Sequence, residues 1–238
     1  MKALALSNQK LVDEAIQIYD EAERRFGDTN SADVKEVLAS LLVNKAVILS
    51  EHDRKKEALI AYNEFIDRFI NDQSAAIKEK VVRAYYNRST IYRSMSSEDR
   101  AVEGFKELVE RFGDDESKSV KEIIGAAKNS IGFKLLLEAK RCWSDEVERT
   151  DMLTRAATIF EDAAIDYPGN AYILGNQAYC AHLLGCARDD VATRIDHALR
   201  IGRQSIYDAT IGDLKLHPVT NIDDAFHALI CEVWDELK

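Results

Sequence analysis

Sliding the sequence along itself by 43 residues brings like residues into register through most of its first half. Ala15, Ala58 and Ala101 coincide, then Tyr19, Tyr62 and Phe105, then Glu21, Glu64 and Glu107, then Arg25, Arg68 and Arg111. The stretches RRFGDTN, DRFINDQ and ERFGDDE follow, with Phe26, Phe69 and Phe112 in step. Val34, Ile77 and Val120 coincide next, each before Lys-Glu or Lys-Glu-Lys. Asn44 falls on Asn87, and the third copy has Ser130 there, with Asn129 beside it. A single short unit cannot bury its own apolar face, so a chain with this period must stack its copies.

Each copy reads as two helices. Two prolines and ten glycines in 238 residues leave few breakers, and the chain is otherwise rich in good helix formers. In one copy the spacing predicts a helix from about Ser74 to Met95 and a partner from about Asp99 to Phe112. SMSSED between them offers Ser and Asp to take up free helix N–H groups. Ala101, Phe105, Leu108 and Phe112 recur at i, i+4, i+7 and i+11, one face of the second helix. Gly-Asp after Phe26 and Phe112 supplies the other stop, because glycine enters left-handed geometry cheaply.

In RAATIFEDAAIDYPGN the residues Ala156, Phe160, Ala163 and Pro168 are spaced as small–aromatic–small–proline, and a further helical stretch, AYILGNQAYCAHLLG, follows. This resembles the tetratricopeptide repeat (TPR) family, whose helix-turn-helix units stack into a superhelix. The first copies resemble a longer bacterial variety, with NKA and NRS where such units often carry Asn-Lys-Gly. They exceed the family's usual period of about 34 residues by about two and a half helical turns, an excess expected to lengthen each first helix. The resemblance implies an all-α, right-handed α-solenoid of about five stacked antiparallel helix pairs. Long-period repeats are expected over 1–148, a more regular unit over 149–203, and a loop with a capping helix over 204–238. Phe226, Leu229, Ile230, Val233, Trp234 and Leu237 form an apolar stripe on that last helix, from about Asp223. At the other end, the 43-residue pitch lays KALALS (2–7) on KAVILS (45–50) and puts Met1 where Asn44 falls. Either a short natural N-terminal helix or a cut from a longer array fits that register.

Composition narrows the function. A net charge of −10 disfavours nucleic acid as the main partner, since phosphate binding relies on a cationic surface. No run approaches the roughly 18 apolar residues that span a bilayer. The start MKALALSNQK has no secretory apolar core with a cleavage site, so a cytoplasmic protein is expected, and the resemblance to the longer repeat variety implies a bacterial one. Cys142, Cys180, Cys186 and Cys231 fit no CxxC pattern and are expected as reduced thiols.

Candidate sites follow the repeat. Glu21/Arg25, Glu64/Arg68 and Glu107/Arg111, each four apart, are expected as solvated helix pairs, with Phe26, Phe69 and Phe112 in the core. In peptide-binding TPR members, Asn and Lys or Arg on first helices hold a partner, which the resemblance carries to Asn44, Asn87 and Asn176. An amide both donates and accepts, so it can clamp an extended peptide. Around Asn87, the residues Arg83, Tyr86, Thr90 and Arg93 continue one helix face, with Val81, Tyr85, Ser89 and Tyr92 opposite. Together with Asn44 and Val47 they form the candidate partner-binding face, Tyr and Arg being favoured at interface hot spots. His182 with Cys186 and His227 with Cys231, each four apart, are the sole hint of a Cys2His2 zinc site. No metal or cofactor is expected.

Catalytic patterns are absent: no phosphate-cradling glycine loop, no G-x-S-x-G, no H-E-x-x-H. The reading is therefore a non-catalytic protein-interaction scaffold that binds a peptide or partner domain on its concave face. The alternatives are an acidic bacterial immunity or antitoxin-type inhibitor of a cationic toxin, whose association opposite charge would speed, and an enzyme with a cryptic site.

Overall fold

The computed structural model describes residues 2–238, with side chains described from Lys10 onward. Met1, on which the register of the N-terminus turned, lies outside the described residues. Among the described residues there are ten helices and no strand: α1 (Lys2–Phe26), α2 (Ala32–Glu51), α3 (Lys55–Phe69), α4 (Ala75–Ser94), α5 (Glu98–Phe112), α6 (Lys118–Arg141), α7 (Glu146–Asp166), α8 (Ala171–Leu183), α9 (Arg188–Leu214) and α10 (Ile222–Glu236). The chain divides into two compact units, residues 1–108 and 109–238. No helix among the described residues is long and apolar enough to cross a membrane.

Within the first unit, α2 packs on α1 and α3, and α4 packs on α3 and α2. The two turns that fold α2 onto α3 and α4 onto α5 are copies of each other. Each passes through a left-handed residue, Asp53 (φ 59°) and Ser96 (φ 57°), in equivalent places of the repeat. The glycines after the phenylalanines behave otherwise than expected. Gly27 and Gly113 are not left-handed; a Cβ there would meet the carbonyl oxygens of Glu23 and Val109 at 2.6 and 2.5 Å. They mark no change of hand, and the second copy carries Ile70 in the same place with helical φ −58° and ψ −32°. First helices are long, 20 residues in α2 and α4 and 24 in α6, against 13 in α8, so the extra residues of the long period lie where the sequence placed them.

The phenylalanines part company. Phe69 is fully buried, Phe112 is half-buried, and Phe26 is 49% exposed, so the expectation of a core role fails for Phe26. The Glu–Arg pairs also diverge. Glu21 pairs with Arg25, and with Arg24, in solvent. Arg68 instead reaches back to Glu23 on α1 at 2.9 Å, and Glu107 also receives Arg88 of α4 at 3.0 Å. Stacked helices bring charges from neighbouring elements as close as those four residues along.

In the second unit α6 packs on α7, α8 on α7 and α9, and α10 on α9 and α8. Ala156, Phe160 and Ala163 are completely buried, and Pro168 stands in the turn before α8, whose N-cap Asn170 accepts from the N–H groups of Tyr172 and Ile173. Helix α9 is kinked within its length. Arg203 has φ 50° and ψ −139°, and α9 resumes beyond it. Phe226, Leu229, Ile230 and Val233 of α10 are buried, with Trp234 and Leu237 packed beside them.

One rule recurs through both units. Two residues after the repeated Asn position stand Ala46, Ser89, Gly132 and Ala178, all small and all buried. Ser89 lies against Gly104 of α5, and a Cβ on Gly132 would sit 2.8 Å from the ring of Phe160 on α7. Small residues there let the two helices of a pair close up. Gly132→Ala should therefore destabilise the second unit by about 1–3 kcal/mol, the usual penalty of overpacking. Combining it with Phe160→Leu should recover part of the loss. Urea denaturation of the three variants checks this.

Candidate functional site

The first unit carries a groove of about 360 Å³ between α2 and α4, floored by α3. Val47, Ser50 and Glu51 line one wall, Asn87, Thr90, Ile91 and Ser94 the other, with Tyr62 beneath and Lys55 at one end. These walls are first helices, which the repeat aligns side by side. Apart from Ile91, the groove-facing positions of α4 are polar, while Val81, Val82 and Tyr85 turn into the core.

Asn87 Nδ2 donates to the Tyr62 hydroxyl oxygen at 3.2 Å. Burial raises the Tyr62 pKa, partly offset by that hydrogen bond, so the phenol stays protonated. Its hydrogen is then available as a donor, while Asn87 Oδ1, with no hydrogen bond among the described residues, is available as an acceptor. The groove floor thus offers one donor beside one acceptor. Lys55 reaches across the groove end to the Ser94 carbonyl at 3.3 Å, next to Asp53 at 3.4 Å.

Of the residues picked out by sequence, Val47, Asn87 and Thr90 come together in this groove. Thr90 donates to its own helix, to the Tyr86 carbonyl. The others do not line it. Arg83 is exposed and pairs with Glu79 at 3.1 Å. Tyr86 packs against Phe105, ring centres 5.4 Å apart, and Arg93 lies over the same ring at 5.7 Å. Asn44 is exposed. On the opposite face of α4, Val81, Tyr85 and Ser89 are buried, and Tyr92 is partly so. Asn176, in the second unit, donates to Asn129 Oδ1 at 2.9 Å, the amide beside Ser130.

The His and Cys pairs are committed elsewhere. His182 Nε2 is 2.8 Å from the Ile222 carbonyl, and its ring stacks on Phe226. Cys231 is 3.5 Å from the Tyr207 hydroxyl and 3.7 Å from His227, and Cys186 is exposed. Among the described residues no group of three or more His, Cys, Asp or Glu side chains could hold a metal ion.

The sequence reading missed a buried polar cluster in the second unit. Lys140 on α6, its side chain wholly enclosed, donates to the Tyr179 hydroxyl and forms an ion pair with Asp223 at 3.2 Å. Tyr179 donates to Asp223 at 2.5 Å, and the Val219 N–H to the same carboxylate at 2.6 Å. Burial pulls the Lys140 pKa down and Asp223 pulls it back. Burial pushes Asp213, at the end of α9, up to about 6 against the opposing pull of Lys140. Fully enclosed and saturated with internal bonds, Lys140, Tyr179 and Asp223 tie α6, α8 and α10 together; they offer nothing to a ligand.

The chain matches no protein-family profile, and no curated protein matches it in sequence. Its fold does have solved counterparts. The crystal structure of BtubC (BKLC) from P. vanneervenii matches 96% of this chain and 89% of its own with a TM-score of 0.62, at 13% identity. Two TPR structures match more loosely: a thermophilic TPR protein of Thermus thermophilus (TM-score 0.46, 18% identity, 83% of this chain and 92% of that one) and the TPR2AB-domain:pHSP90 complex of yeast Sti1 (TM-score 0.36, 12% identity, 99% of each). The chain is all-helical and shares its fold with the first of these. At 13% identity that likeness extends to architecture alone, and the two looser matches carry no argument. What makes the chain TPR-like in detail is its own packing, above all the buried Ala156, Phe160 and Ala163 ahead of Pro168.

Asp213 sets a pH dependence. Its folded pKa of about 6 lies above the ordinary aspartate value of 3.8, so the folded state binds the extra proton between those values. Stability of the second unit should therefore fall as pH rises from about 4 to 6, by at most about 3 kcal/mol. Asp213→Asn should remove that slope, match the parent at pH 4 and exceed it at pH 7.5 in urea denaturation midpoint.

Proposed function

We propose that this chain is a non-catalytic interaction scaffold that binds an extended peptide segment of a partner protein in the groove between α2 and α4. The observation that supports the reading is the Asn87–Tyr62 pair. An extended backbone presents alternating N–H and C=O groups, and a free amide oxygen beside a phenol hydrogen answers one of each. Val47 and Ile91 add apolar wall, so a small side chain of the peptide can be buried between them. Lys55 and Glu51 at the rim favour polar or mixed-charge flanks. The groove is too open to exclude water from a reaction, which suits binding rather than chemistry.

Selection of a displayed random-peptide library on the full chain tests this. Selected peptides should bind the parent chain and lose about tenfold or more in affinity to Asn87→Ala, the usual cost of a buried hydrogen bond left unmet being about 1–3 kcal/mol. Val47→Glu should abolish binding, while Arg83→Glu, outside the groove, should leave it within about twofold. Peptides that bind Val47→Glu and the parent equally would remove the groove from consideration.

A further inference from the structure

The groove is one end of a longer track. Nearer the N-termini of the same two helices lies a second cleft of about 600 Å³, bounded by Ala32, Asp33 and Glu36 of α2, by Ser74 and Ile77 at the start of α4, and by the loops that precede them. Helices α2 and α4 pack on each other and both pack on α3, so this cleft belongs to an internal seam and not to an end of the stack.

Helical geometry joins the cleft to the groove. Asp33, Glu36, Ser40, Asn44, Val47 and Glu51 follow one another at intervals of three or four residues, one stripe along the whole of α2. Between the two cavities that stripe carries only Ser40, half-buried, and Asn44, exposed, so no large apolar side chain interrupts it. On α4, Ile77 lines the cleft and Ile91 the groove, about four turns apart.

The cleft has a charge of its own. Of its two cations, Lys35 is held by Asp72, and Arg68 by Glu23 at 2.9 Å and by the Gly27 carbonyl. Those bonds leave the Asp33 and Glu36 carboxylates, both exposed, with no ion pair among the described residues. Lys80, on the stripe of α4 that carries Asn87, turns its ammonium back to the Ala76 carbonyl of its own helix at 3.3 Å. The dipole of α2 accounts for an acid at Asp33, in the first turn, but fades before Glu36.

We propose that the peptide bound in the groove runs on along α2 into this cleft and places a lysine or arginine side chain between Asp33 and Glu36. This presupposes binding in the groove and adds the class of partner: a segment with a basic residue at a set distance from the small residue seated between Val47 and Ile91. The distance follows from the helix. Asp33 and Glu36 stand fourteen and eleven residues before Val47, roughly 17–21 Å along α2. An extended chain covers that in about five or six residues at about 3.3 Å each, and alternation of side chains selects six, because only an even separation turns both toward the seam. The net charge of −10 speeds the approach of such a segment.

A displayed library of random peptides, about 15 residues long so as to span both cavities, is selected on the full chain. Peptides that lose affinity to Asn87→Ala occupy the groove, and among these lysine or arginine should be enriched six positions from a small residue. The tightest of them, fluorescein-labelled, should bind the double variant Asp33→Asn, Glu36→Gln about fivefold more weakly than the parent in an anisotropy titration, exposed ion pairs being lost. Glutamine in place of the peptide's basic residue should cost the same in the parent and nothing further in the double variant. The circular dichroism of that variant should match the parent, since both carboxylates are exposed. Groove-dependent peptides with no basic residue at that spacing, or binding indifferent to the double variant, would overturn the role of the cleft and leave groove binding standing. A selection that yields no Asn87-dependent peptide would overturn both.

Discussion

The close approach of paired helices at Ala46, Ser89, Gly132 and Ala178 is the constraint on which the architecture rests. Dispersion and apolar burial both reward short helix separations, and one large residue at such a point would hold the helices apart along their length. The partner position compensates in kind, glycine opposite Ser89 and an aromatic ring opposite Gly132. Each pair is thus a complementary solution of the same volume problem. With the pairs closed, the first helices of the first unit line up, and the groove between α2 and α4 is a consequence of that alignment.

Much of this could be read in the sequence because it is local or periodic. The predicted bounds of α4 and α5 fall within a residue or so of those observed, since Ser74 caps the one and the left-handed Ser96 separates the two. The small–aromatic–small–proline spacing gave the α7–α8 hairpin directly. Sequence reasoning failed where burial depends on whether a neighbour exists. Phe26 and Phe69 hold the same place in the repeat, yet one is exposed; Ala22, Glu23 and Gly27 stand around it where Phe65, Ile66 and Ile70 surround the other.

The candidate site was legible in part for the same reason. Periodicity put Asn87 and Thr90 on one face and Val47 on the helix before it, but could not tell which polar residues point between α2 and α4. Arg93 and Tyr86 are drawn to Phe105, a contact to the second helix of the pair that favours arginine over an aromatic face. Tyr62, Lys55 and Ser94 were missed because a groove floor and its ends come from other elements. The polar cluster of Lys140, Tyr179 and Asp223 had no signal at all, its members being 39 and 44 residues apart along the chain.

That cluster alters how the second unit comes apart. In a stack whose members touch only their neighbours, end elements fray first and unfolding spreads inward step by step. Lys140 joins the first helix of the unit to the last, so α10 cannot peel away without stranding an ammonium group among apolar side chains. The outermost helix is thereby held to the stability of the innermost. The slowest-exchanging amides are then expected to extend into α10, and α6 through α10 to melt as one cooperative block.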